Sequence, residues 1–488
     1  MGLTNWIRRF FGIRNYDAGS YERTNRNWVA VNDSGEATDK NYRARVKARS
    51  RDLERNTDIM NAFIHPWLRN VAGQGFTLEA KTGNDVLDEQ LERLWEKWTK
   101  KDNCDVTGTQ SLWEMLRMAV RRKRVDGGIL FVKCYTPRGI LPFKLQVLET
   151  DELDDNAFIP HFKGNRVVGG VEYDSYNYAV GYHIREYDIQ GYQIPQSHFV
   201  ERERVIFYFS KTRPTQIREM PEMAAGIPRM KEVNGYIEAT TIKERMAACF
   251  GLVIKKTQPS GTLGRAAVNG ERKTNYRELE LTPGMVTQLN DGDDLQVVNP
   301  GTSAANSAEY LKTLQRLIAS GQGISYESAS RDLSSANYSS ARQATIEDEE
   351  TFAWDTQKLV DEILDEVYAS FVEAAVLSGE INIPDYFTNQ DKYIEHEWNR
   401  KPKRWIDPMK EANSNKIALE TGQKTLADIW RDGGRDYRTV LNEMKEILDY
   451  AQEIGLRVNM PWIVPAEESV EKSEEETVQE DDVKDENE

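Results

Sequence analysis

The chain has 488 residues, too many for one compact core, so we expect two to four domains. Charged residues make up 30% of the chain and hydrophobic residues 39%, and no apolar run approaches the length of a membrane span, so the sequence predicts no contact with a membrane. The net charge is −16, of which residues 467–488 carry −10, and this tail is predicted to be disordered and solvated. The rest of the chain carries −6, and this mildly acidic balance argues against a wholly basic surface that grips DNA.

The amino-terminal part is polar over residues 15–40 and strongly basic over residues 41–60, where the pattern predicts one helix. We interpret its basic face as solvated or paired with acids, and contact with phosphate is the alternative. Two amphipathic helices are predicted over residues 85–98 and 111–124. The second ends in "RRKR", and cations at that position favour the helix dipole.

Strand patterns follow, and they predict an α+β domain over residues 58–222. The segments are a short apolar run at 129–134, an alternating run at 143–148, a hairpin over 170–186 with its turn at 174–177, and a buried strand at 205–209. The three cysteines, Cys104, Cys134 and Cys249, are isolated from one another, which is typical of free thiols in a reducing compartment and gives no disulfide frame and no zinc site.

A long helix is predicted over residues 228–250, about 34 Å in length, with an apolar stripe through Met230, Val233 and Ile237. A β-containing insert over 251–300 follows it and includes two short strands about a turn at 290–292. Its aspartates are interpreted as turn residues, because the glutamate that completes an EF-hand loop is absent. A second helix is predicted over about 307–320.

The most unusual segment is residues 323–342, "GISYESASRDLSSANYSSAR", which holds seven serines in twenty residues. It could be the site of a nucleophile, a flexible linker, or a polar surface past which something slides. A serine nucleophile needs a base, and the segment has no histidine or lysine. We expect Tyr326, Leu333 and Tyr338 to anchor it by packing, and Asp332 to pair with Arg331 or to cap a helix.

A very long helix is predicted over about 339–377 and ends at Gly379, and three short helices are predicted over 408–455. The five histidines fall in no metal-binding or catalytic motif, and no nucleotide-binding glycine loop is present. The sequence therefore predicts a protein that is not an enzyme and uses neither a cofactor nor a metal.

Several segments together resemble the lambda-type family of bacteriophage portal proteins over roughly residues 40–455. They are "RARVKARSRDLERN", "NVAGQGFTL", "RPTQIREMP", "ERMAACFGLVIKK", "LTPGMVTQLNDGDDLQVVNP", "GISYESASRDLSSANYSSARQA" and "WIDPMKEANSNKIALETGQKTL". The chain departs from the family at Glu219, where an RPxQxRG element commonly has glycine, and this departure puts the local turn in doubt.

The resemblance implies a helix-rich α+β portal subunit that forms a ring, usually of twelve copies, at one capsid vertex. Double-stranded DNA would enter through the ring, driven by the terminase large subunit, and later leave through it. The other implied partners are the major capsid protein, the scaffold and a head-completion or tail adaptor. The implied location is the virion, after assembly in the bacterial cytoplasm.

The resemblance also implies a division of the chain. The regions are an arm with a basic helix (1–57), a wing (58–222), a first stem helix (223–250), a clip (251–302), a second stem helix (303–322), a tunnel loop (323–340), a long wing helix and its connection (341–406), a helical crown (407–455) and an acidic tail (456–488).

Two groups of candidate site residues follow from this division. The side chains expected to face DNA in the tunnel loop are Ser325, Ser328, Ser330, Arg331, Ser334, Ser335 and Asn337. The side chains expected to face the terminase or adaptor on the clip are Lys255, Lys256, Arg265, Arg272 and Lys273. The competing hypotheses are a nucleic-acid-binding adaptor that uses the basic helix over residues 43–55 and a serine hydrolase that uses a tunnel-loop serine.

Overall fold

The computed structural model describes residues 27, 30–249, 253–256, 293–296, 304–334, 337–400 and 408–456. It divides into two compact units. The first holds the described residues up to Gly73 together with Arg93–Tyr386, and the second holds Gln74–Glu92 together with the described residues from Phe387 onward. Helices predominate and the strands pair antiparallel, so the predicted helix-rich α+β class is confirmed.

The α-helices fall into an amino-terminal group, a central group and a carboxyl-terminal group. In chain order they are α1 (Gly35–Lys40), α2 (Arg43–Asn56), α3 (Asp58–Trp67), α4 (Asp85–Trp98), α5 (Lys101–Cys104), α6 (Leu112–Val125), α7 (Ile227–Cys249), α8 (Ala304–Gly321), α9 (Tyr326–Ser330), α10 (Tyr338–Leu359), α11 (Asp365–Ser378), α12 (Gln390–Tyr393), α13 (Pro408–Glu420), α14 (Leu426–Asp432) and α15 (Tyr437–Glu453). Single π-helical turns, Leu68–Ala72 and Val360–Leu364, follow α3 and α10.

The strands form four antiparallel sheets in the described residues. In chain order they are β1 (Phe76–Ala80), β2 (Gly128–Tyr135), β3 (Phe143–Leu148), β4 (Arg166–Val168), β5 (Val171–Tyr173), β6 (Ala179–Ile184), β7 (His198–Glu201), β8 (Val205–Phe209), β9 (Val253–Lys256), β10 (Asp293–Gln296) and β11 (His396–Arg400). The strand orders are β3-β2-β8, β4-β5-β6-β7, β1-β11 and β10-β9. The strands predicted at 129–134, 143–148 and 205–209 are confirmed.

The core of the first unit lies between its sheets and the helices that cover them. Helix α6 packs on β2, and α11 packs on β3. The indole of Trp98 is fully buried, stacks on Phe143 with ring centroids 5.2 Å apart, and donates its N–H to the Phe143 carbonyl at 2.9 Å. A buried tryptophan needs such an acceptor for its N–H, so the backbone of β3 both packs against this ring and satisfies its donor.

Two hairpins of the first unit share one turn with nearly the same sequence, "YDSYNY" at 173–178 and "YDIQGY" at 187–192. In each, the aspartate carboxylate accepts the backbone N–H groups two and four residues later. In each, the fifth residue, Asn177 or Gly191, is left-handed, with φ of 64° or 83°. This is a type I turn followed by a bulge, and it confirms the turn predicted at 174–177. The exposed side chains of the two tips include Tyr176, Tyr178, Ile189 and Tyr192.

The long helix predicted over 339–377 is confirmed, and it runs through α10, its π-helical turn and α11 to Ser378. The four residues of its apolar repeat, Leu359, Ile363, Val367 and Phe371, are completely buried. Gly379 follows directly with φ 80°, as predicted for the end of the helix. A period of four places these side chains on one face, so their burial orients the whole helix against the first unit.

The two helices on either side of the insert, α7 and α8, are also confirmed. They contact each other through Tyr236, whose hydroxyl lies 3.1 Å from that of Ser307 and whose ring lies edge-on to Tyr310. The predicted stripe of α7 is buried at Met230 and Val233 but 39% exposed at Ile237. Met230 and Val233 are therefore packed within one chain, whereas Ile237 is only partly covered.

In the insert, β9 pairs with β10 in the register Val253 to Gln296 and Lys256 to Asp293. β10 begins directly after the turn predicted at 290–292. The strand predicted before that turn lies outside the described residues, so the predicted hairpin stays a prediction.

The second unit is built on β1 and β11, which pair although about 320 residues separate them in sequence. Helices α13, α14 and α15 follow β11 and correspond to the three helices predicted over 408–455. The Thr425 hydroxyl accepts the Asp428 N–H at the start of α14, and the Asp428 carboxylate accepts the Thr425 N–H, which makes a capping box.

Candidate functional site

The serine-rich segment, residues 323–340, was predicted to be a loop, and this is only partly correct because five of its residues form helix α9. The Ser325 side chain caps α9 by accepting the Ser328 N–H at 3.2 Å. The buried carboxylate of Asp348 on α10 accepts the Ser325 N–H and hydroxyl, each at 2.7 Å, and also the Ser328 hydroxyl. The sequence pattern did not predict this helix, because Asp348, the carboxylate that accepts hydrogen bonds from its serines, lies twenty residues after Ser328.

Asp332 organises the second half of the segment. Its carboxylate accepts the Ser334 N–H at 3.0 Å and hydroxyl at 2.5 Å, and it lies 3.3 Å from the Lys312 ammonium of α8. The hydrogen bonds from Ser334 and the charge of Lys312 lower the pKa of Asp332 to about 2. The predicted pairing of Asp332 with Arg331 is therefore wrong, and the carboxylate instead holds the chain that follows α9.

The predicted anchoring of the segment by three large side chains is only partly correct. Tyr326 is half-buried, and its ring lies near the cationic groups of Lys312 and Arg316. Leu333, by contrast, is 62% exposed, so it does not anchor the segment within one chain. The side chain of Tyr338 lies outside the described residues.

The other candidate tunnel-loop residues have different surroundings. The Ser330 hydroxyl accepts the Asp332 N–H at 3.1 Å, and Asn337 caps α10 by accepting the Ser340 N–H at 2.8 Å. Arg331 is exposed and ends α9 in a left-handed conformation, with φ 59°. Ser335 lies outside the described residues. In the described part of the segment, the hydroxyls whose partners are known are bound to carboxylates or backbone, and these hydroxyls have no histidine partner to act as base.

A cavity of about 470 Å³ lies where α8, α9 and α10 meet. Its lining includes Arg316, Tyr326, Glu327, Glu347 and Asp348. Its charged lining residues are three carboxylates and one guanidinium, so the cavity does not favour an anion. Among the described residues, no group of three or more histidine, cysteine or carboxylate side chains is arranged to hold a metal ion.

A buried ion cluster surrounds Glu219, the position where the sequence departs from the family pattern. Its carboxylate is fully buried and lies 2.8 Å from Arg218 Nε and 3.2 Å from Lys47 Nζ. Its backbone carbonyl accepts from Arg43 Nε at 3.0 Å. Burial raises the pKa of Glu219, but Arg218 and Lys47 outweigh it and the pKa lies at about 2. The departure therefore changes more than a turn, because this carboxylate joins α2 to the segment before α7.

A second ion cluster lies three residues further along the same segment. Lys123 and Arg124 are both buried, and each pairs with Glu222 and with Asp355 of α10. The Arg124 guanidinium also lies 3.2 Å from the centroid of the Trp67 ring. The favoured interpretation of "RRKR", a response to the helix dipole, was incomplete, because these cations bind acids that come from elsewhere in the chain.

The basic helix predicted over 41–60 is two helices, because Thr57 ends α2 and caps α3 with its hydroxyl. The interpretation of its face as paired with acids is confirmed for three residues, since Arg43 pairs with Glu36, Lys47 with Glu219 and Asp151, and Arg51 with Asp126, Glu149 and Asp151. Arg45, Arg49 and Arg55 are exposed. The helix therefore keeps only part of its basic surface for any other partner.

Two of the five candidate clip residues, Lys255 and Lys256, lie in β9. Lys255 and Lys256 pair with Asp294 and Asp293 in the β9–β10 ladder. Arg265, Arg272 and Lys273 lie outside the described residues. Within the described helices, none is both long and apolar enough to cross a lipid bilayer.

Comparison with known proteins gives one consistent result. The family model for phage portal proteins of the lambda family matches residues 21–354. The chain is 25% identical to the probable portal protein of Halomonas phage phiHAP-1, over 91% of this chain and 88% of that protein. It is 20% identical to portal protein B of Escherichia phage lambda, over 92% and 91% of the two chains. It is also similar, with TM-score 0.46, 16% identity and coverage of 80% and 93%, to a chain in the neck of an empty gene transfer agent particle.

Proposed function

Since this chain belongs to the lambda family of phage portal proteins, we propose that it assembles into a ring, of about twelve copies, around a channel for double-stranded DNA. The observation that carries this proposal is the family match, which covers α1 to α9 and most of α10. In the proposed ring, α7 and α8 form the stem, the serine-rich segment lines the channel, and the insert between α7 and α8 faces the terminase and later an adaptor.

Exposed apolar side chains on the central helices support assembly. Trp354 on α10 is 78% exposed, and Ile242 on α7 and Leu317 on α8 are about half exposed. A tryptophan this exposed is unusual on the surface of a monomer, whereas aromatic residues are enriched where subunits meet. A ring requires two different complementary surfaces on each subunit, and side chains on three helices can supply parts of both.

The composition of the serine-rich segment supports passage rather than capture of DNA. A duplex carries about one charge per 1.7 Å, so a channel lined by many cations would hold it tightly. The segment has one arginine in its middle, and its exposed residues otherwise include Leu333, Ser334 and Asn337. The role is structural in this proposal, and the energy for DNA movement comes from the terminase motor.

The remaining partners are proposed from family membership alone. They are the major capsid protein, the scaffold and a head-completion or tail adaptor, with the virion vertex as the site of action after assembly in the bacterial cytoplasm. The competing adaptor hypothesis is weaker, because Arg43, Lys47 and Arg51 of α2 are already paired with acids. The hydrolase hypothesis is weaker as well, because Ser325 and Ser328 donate to Asp348.

Electron microscopy of the purified full-length chain, with light scattering for the mass, tests the proposal. We expect rings with a central hole and a mass near twelve times 56.1 kDa. A Trp354→Ser variant should form fewer rings at the same protein concentration, because it loses apolar area at the subunit interface. Compact monomers over the whole accessible concentration range would contradict the proposed assembly.

A further inference from the structure

Helix α9 of the serine-rich segment ends beside a group of basic side chains that come from three parts of the first unit. They are His65 on α3, Arg69 on the π-helical turn after it, Arg117 on α6 and Arg331 at the end of α9, and we call them the basic patch. All four are exposed. Helix α9 packs against α3, and α3 and the π-helical turn pack against α6, so the fold brings these elements together.

A hydrogen bond ties the patch to the segment. Arg69 donates from Nη2 to the carbonyl of Ser328 at 3.4 Å, and Arg331 follows three residues later. Arg117 donates from Nη1 to the carbonyl of Gly73 at 3.0 Å. These acceptors are neutral backbone oxygens, so they position the guanidinium groups without cancelling their charge.

The charges of the patch act on one another. Burial lowers the pKa of Arg69, and the charge of Arg331 lowers it further. Burial likewise lowers the pKa of His65, with Arg121, Arg69, Arg331 and Arg117 adding to the effect. Of these cations, Arg121 pairs with Glu54, while the structure records no ion pair for the four patch residues among the described residues. The like charges of Arg69, Arg117 and Arg331, with no ion-paired acid among the described residues, are unfavourable in the free protein, and an anion would remove that repulsion.

The backbone conformation of Arg331 also supports a functional role for its side chain. Its left-handed conformation is one that arginine rarely adopts, and glycine or asparagine would fit it with less strain. The long charged side chain is kept at a position where the backbone favours a small residue. Strain of this kind is retained where surrounding structure fixes a functional group in place.

We propose that Arg69 and Arg331, with His65 and Arg117 beside them, form a phosphate-binding site, and that its ligand in the assembled particle is the DNA backbone. A guanidinium binds a phosphate through two parallel N–H groups, so two neighbouring arginines suit one phosphodiester. The proposal rests on the proposed passage of DNA past the serine-rich segment. It adds that each subunit contacts the duplex at one defined cationic point, next to a segment whose other exposed side chains, among those that the structure describes, carry no charge.

The site also has a consequence for the segment itself. A phosphate between Arg69 and Arg331 would bridge the π-helical turn and the end of α9. The repulsion between the charges of these two arginines would then be offset by their shared attraction to the phosphate. DNA in the channel should therefore reduce the mobility of residues 326–332, and its departure should restore it.

Binding of a fluorescent 20-base-pair duplex to the assembled full-length protein, measured over a series of salt concentrations, tests the site. The variants are Arg331→Ala, Arg331→Gly, Arg331→Lys and Arg69→Ala, and the matched controls are Arg45→Ala and Arg49→Ala on the exposed face of α2. Arg331→Gly removes the cation and also relieves the strain of the left-handed backbone, so we expect this variant to fold as well as the original chain. Two further measurements test competition with the duplex: addition of inorganic phosphate, and removal of the acidic tail, residues 467–488.

We expect Arg331→Ala, Arg331→Gly and Arg69→Ala each to weaken binding by about 10-fold, with a salt dependence shallower by about 0.9 for each phosphate that the variant no longer neutralises. Arg331→Lys should retain part of the affinity, and the two α2 controls should bind like the original chain. Equal affinity of all four patch variants and the original chain overturns the inference, as does loss of binding only in the α2 controls, which would favour the adaptor hypothesis.

The competition arms identify the anion. Displacement of the duplex by inorganic phosphate at millimolar concentration supports a phosphate site. Removal of residues 467–488 could tighten DNA binding in the original chain and not in an Arg331 variant. That result would mean that the acidic tail competes for the basic patch, and it would also support an anion site there. Rings that bind DNA equally with and without Arg331 would refute the phosphate site and leave the proposed ring intact. Monomers whose DNA binding depends on Arg331 would support the phosphate site and contradict the proposed ring.

Discussion

Replacing Glu219 by glutamine removes the negative charge at the centre of the first ion cluster and leaves the shape of the side chain nearly unchanged. Two buried cations, Arg218 and Lys47, then lose their shared acceptor. Breaking a buried pair in this way costs about 3–5 kcal/mol. We expect the lower end of that range, because Arg218 keeps Asp155 at 2.7 Å and Lys47 keeps Asp151 at 3.2 Å.

The pKa of Glu219 leads to a similar magnitude. Folding lowers this pKa from 4.5 to about 2. A shift of this size corresponds to about 3 kcal/mol of stability. Because the pKa is lowered in the folded state, the contribution is complete above the unfolded value and disappears as the pH falls from about 4.5 towards 2. The original chain should lose this stability in acid, and Glu219→Gln should lack it at every pH.

Amide hydrogen exchange measures the effect where the cluster acts. A loss of about 3 kcal/mol should speed exchange in α2 roughly 100-fold, if opening is at equilibrium. Glu219→Gly, which restores the residue common in the family, should have an effect at least as large. The control is Glu149→Gln, a half-exposed partner of Arg51, which should change stability by less than about 1 kcal/mol. Exchange in α2 that stays within threefold of the original in Glu219→Gln would refute this reasoning.

Three further predictions concern other parts of the chain. Gly127→Ala should destabilise the first unit far more than Gly83→Ala destabilises the second. Both glycines have positive φ, but of the two only Gly127 would have its added Cβ collide with backbone atoms, those of Met220. Thermal unfolding measures the difference, since Gly83→Ala suffers backbone strain alone and Gly127→Ala suffers strain and collision. Asp348→Ala should speed amide exchange in α9, since it removes the acceptor of two serine hydroxyls; unchanged exchange would show that α9 is held by packing alone. Removal of residues 467–488 should leave rings intact and let them form at lower salt, as sedimentation can measure, because it removes −10 from each subunit.

The parts of the fold that the sequence predicted are those whose signal is local. The repeat through Leu359, Ile363 and Val367 requires only a four-residue period, and it located the long helix correctly. The turn at 174–177 requires only the aspartate and Asn177, and the structure contains both that turn and its near copy. Periodicity and turn chemistry act within a few residues, so a single sequence is enough to read them.

The parts that it missed depend on distant partners. Helix α9 is short and rich in serine, and it depends on Asp348, which no local pattern connects to it. The strand β1 has its partner in β11 at the other end of the chain. The acids of the ion clusters show the same limit, because Glu219 lies more than 170 residues from Lys47, and Asp355 more than 230 from Lys123. Charge patterns identify such residues as charged, but only the fold decides which of them meet.

The short span from Glu219 to Glu222 has a mechanical consequence. At most about 10 Å of chain separates the two ion clusters, and between them the backbone of Met220 lies within 2.8 Å of where a Cβ on Gly127 would be. Glu219 at one end of the span binds Lys47 of α2, and Glu222 at the other end binds Lys123 and Arg124 of α6, which also bind Asp355 of α10; α7 starts only five residues after Glu222. Because so short a span can lengthen little, we expect a displacement of Glu222 to move Glu219 with it and to shift Asp355 through their shared partners Lys123 and Arg124.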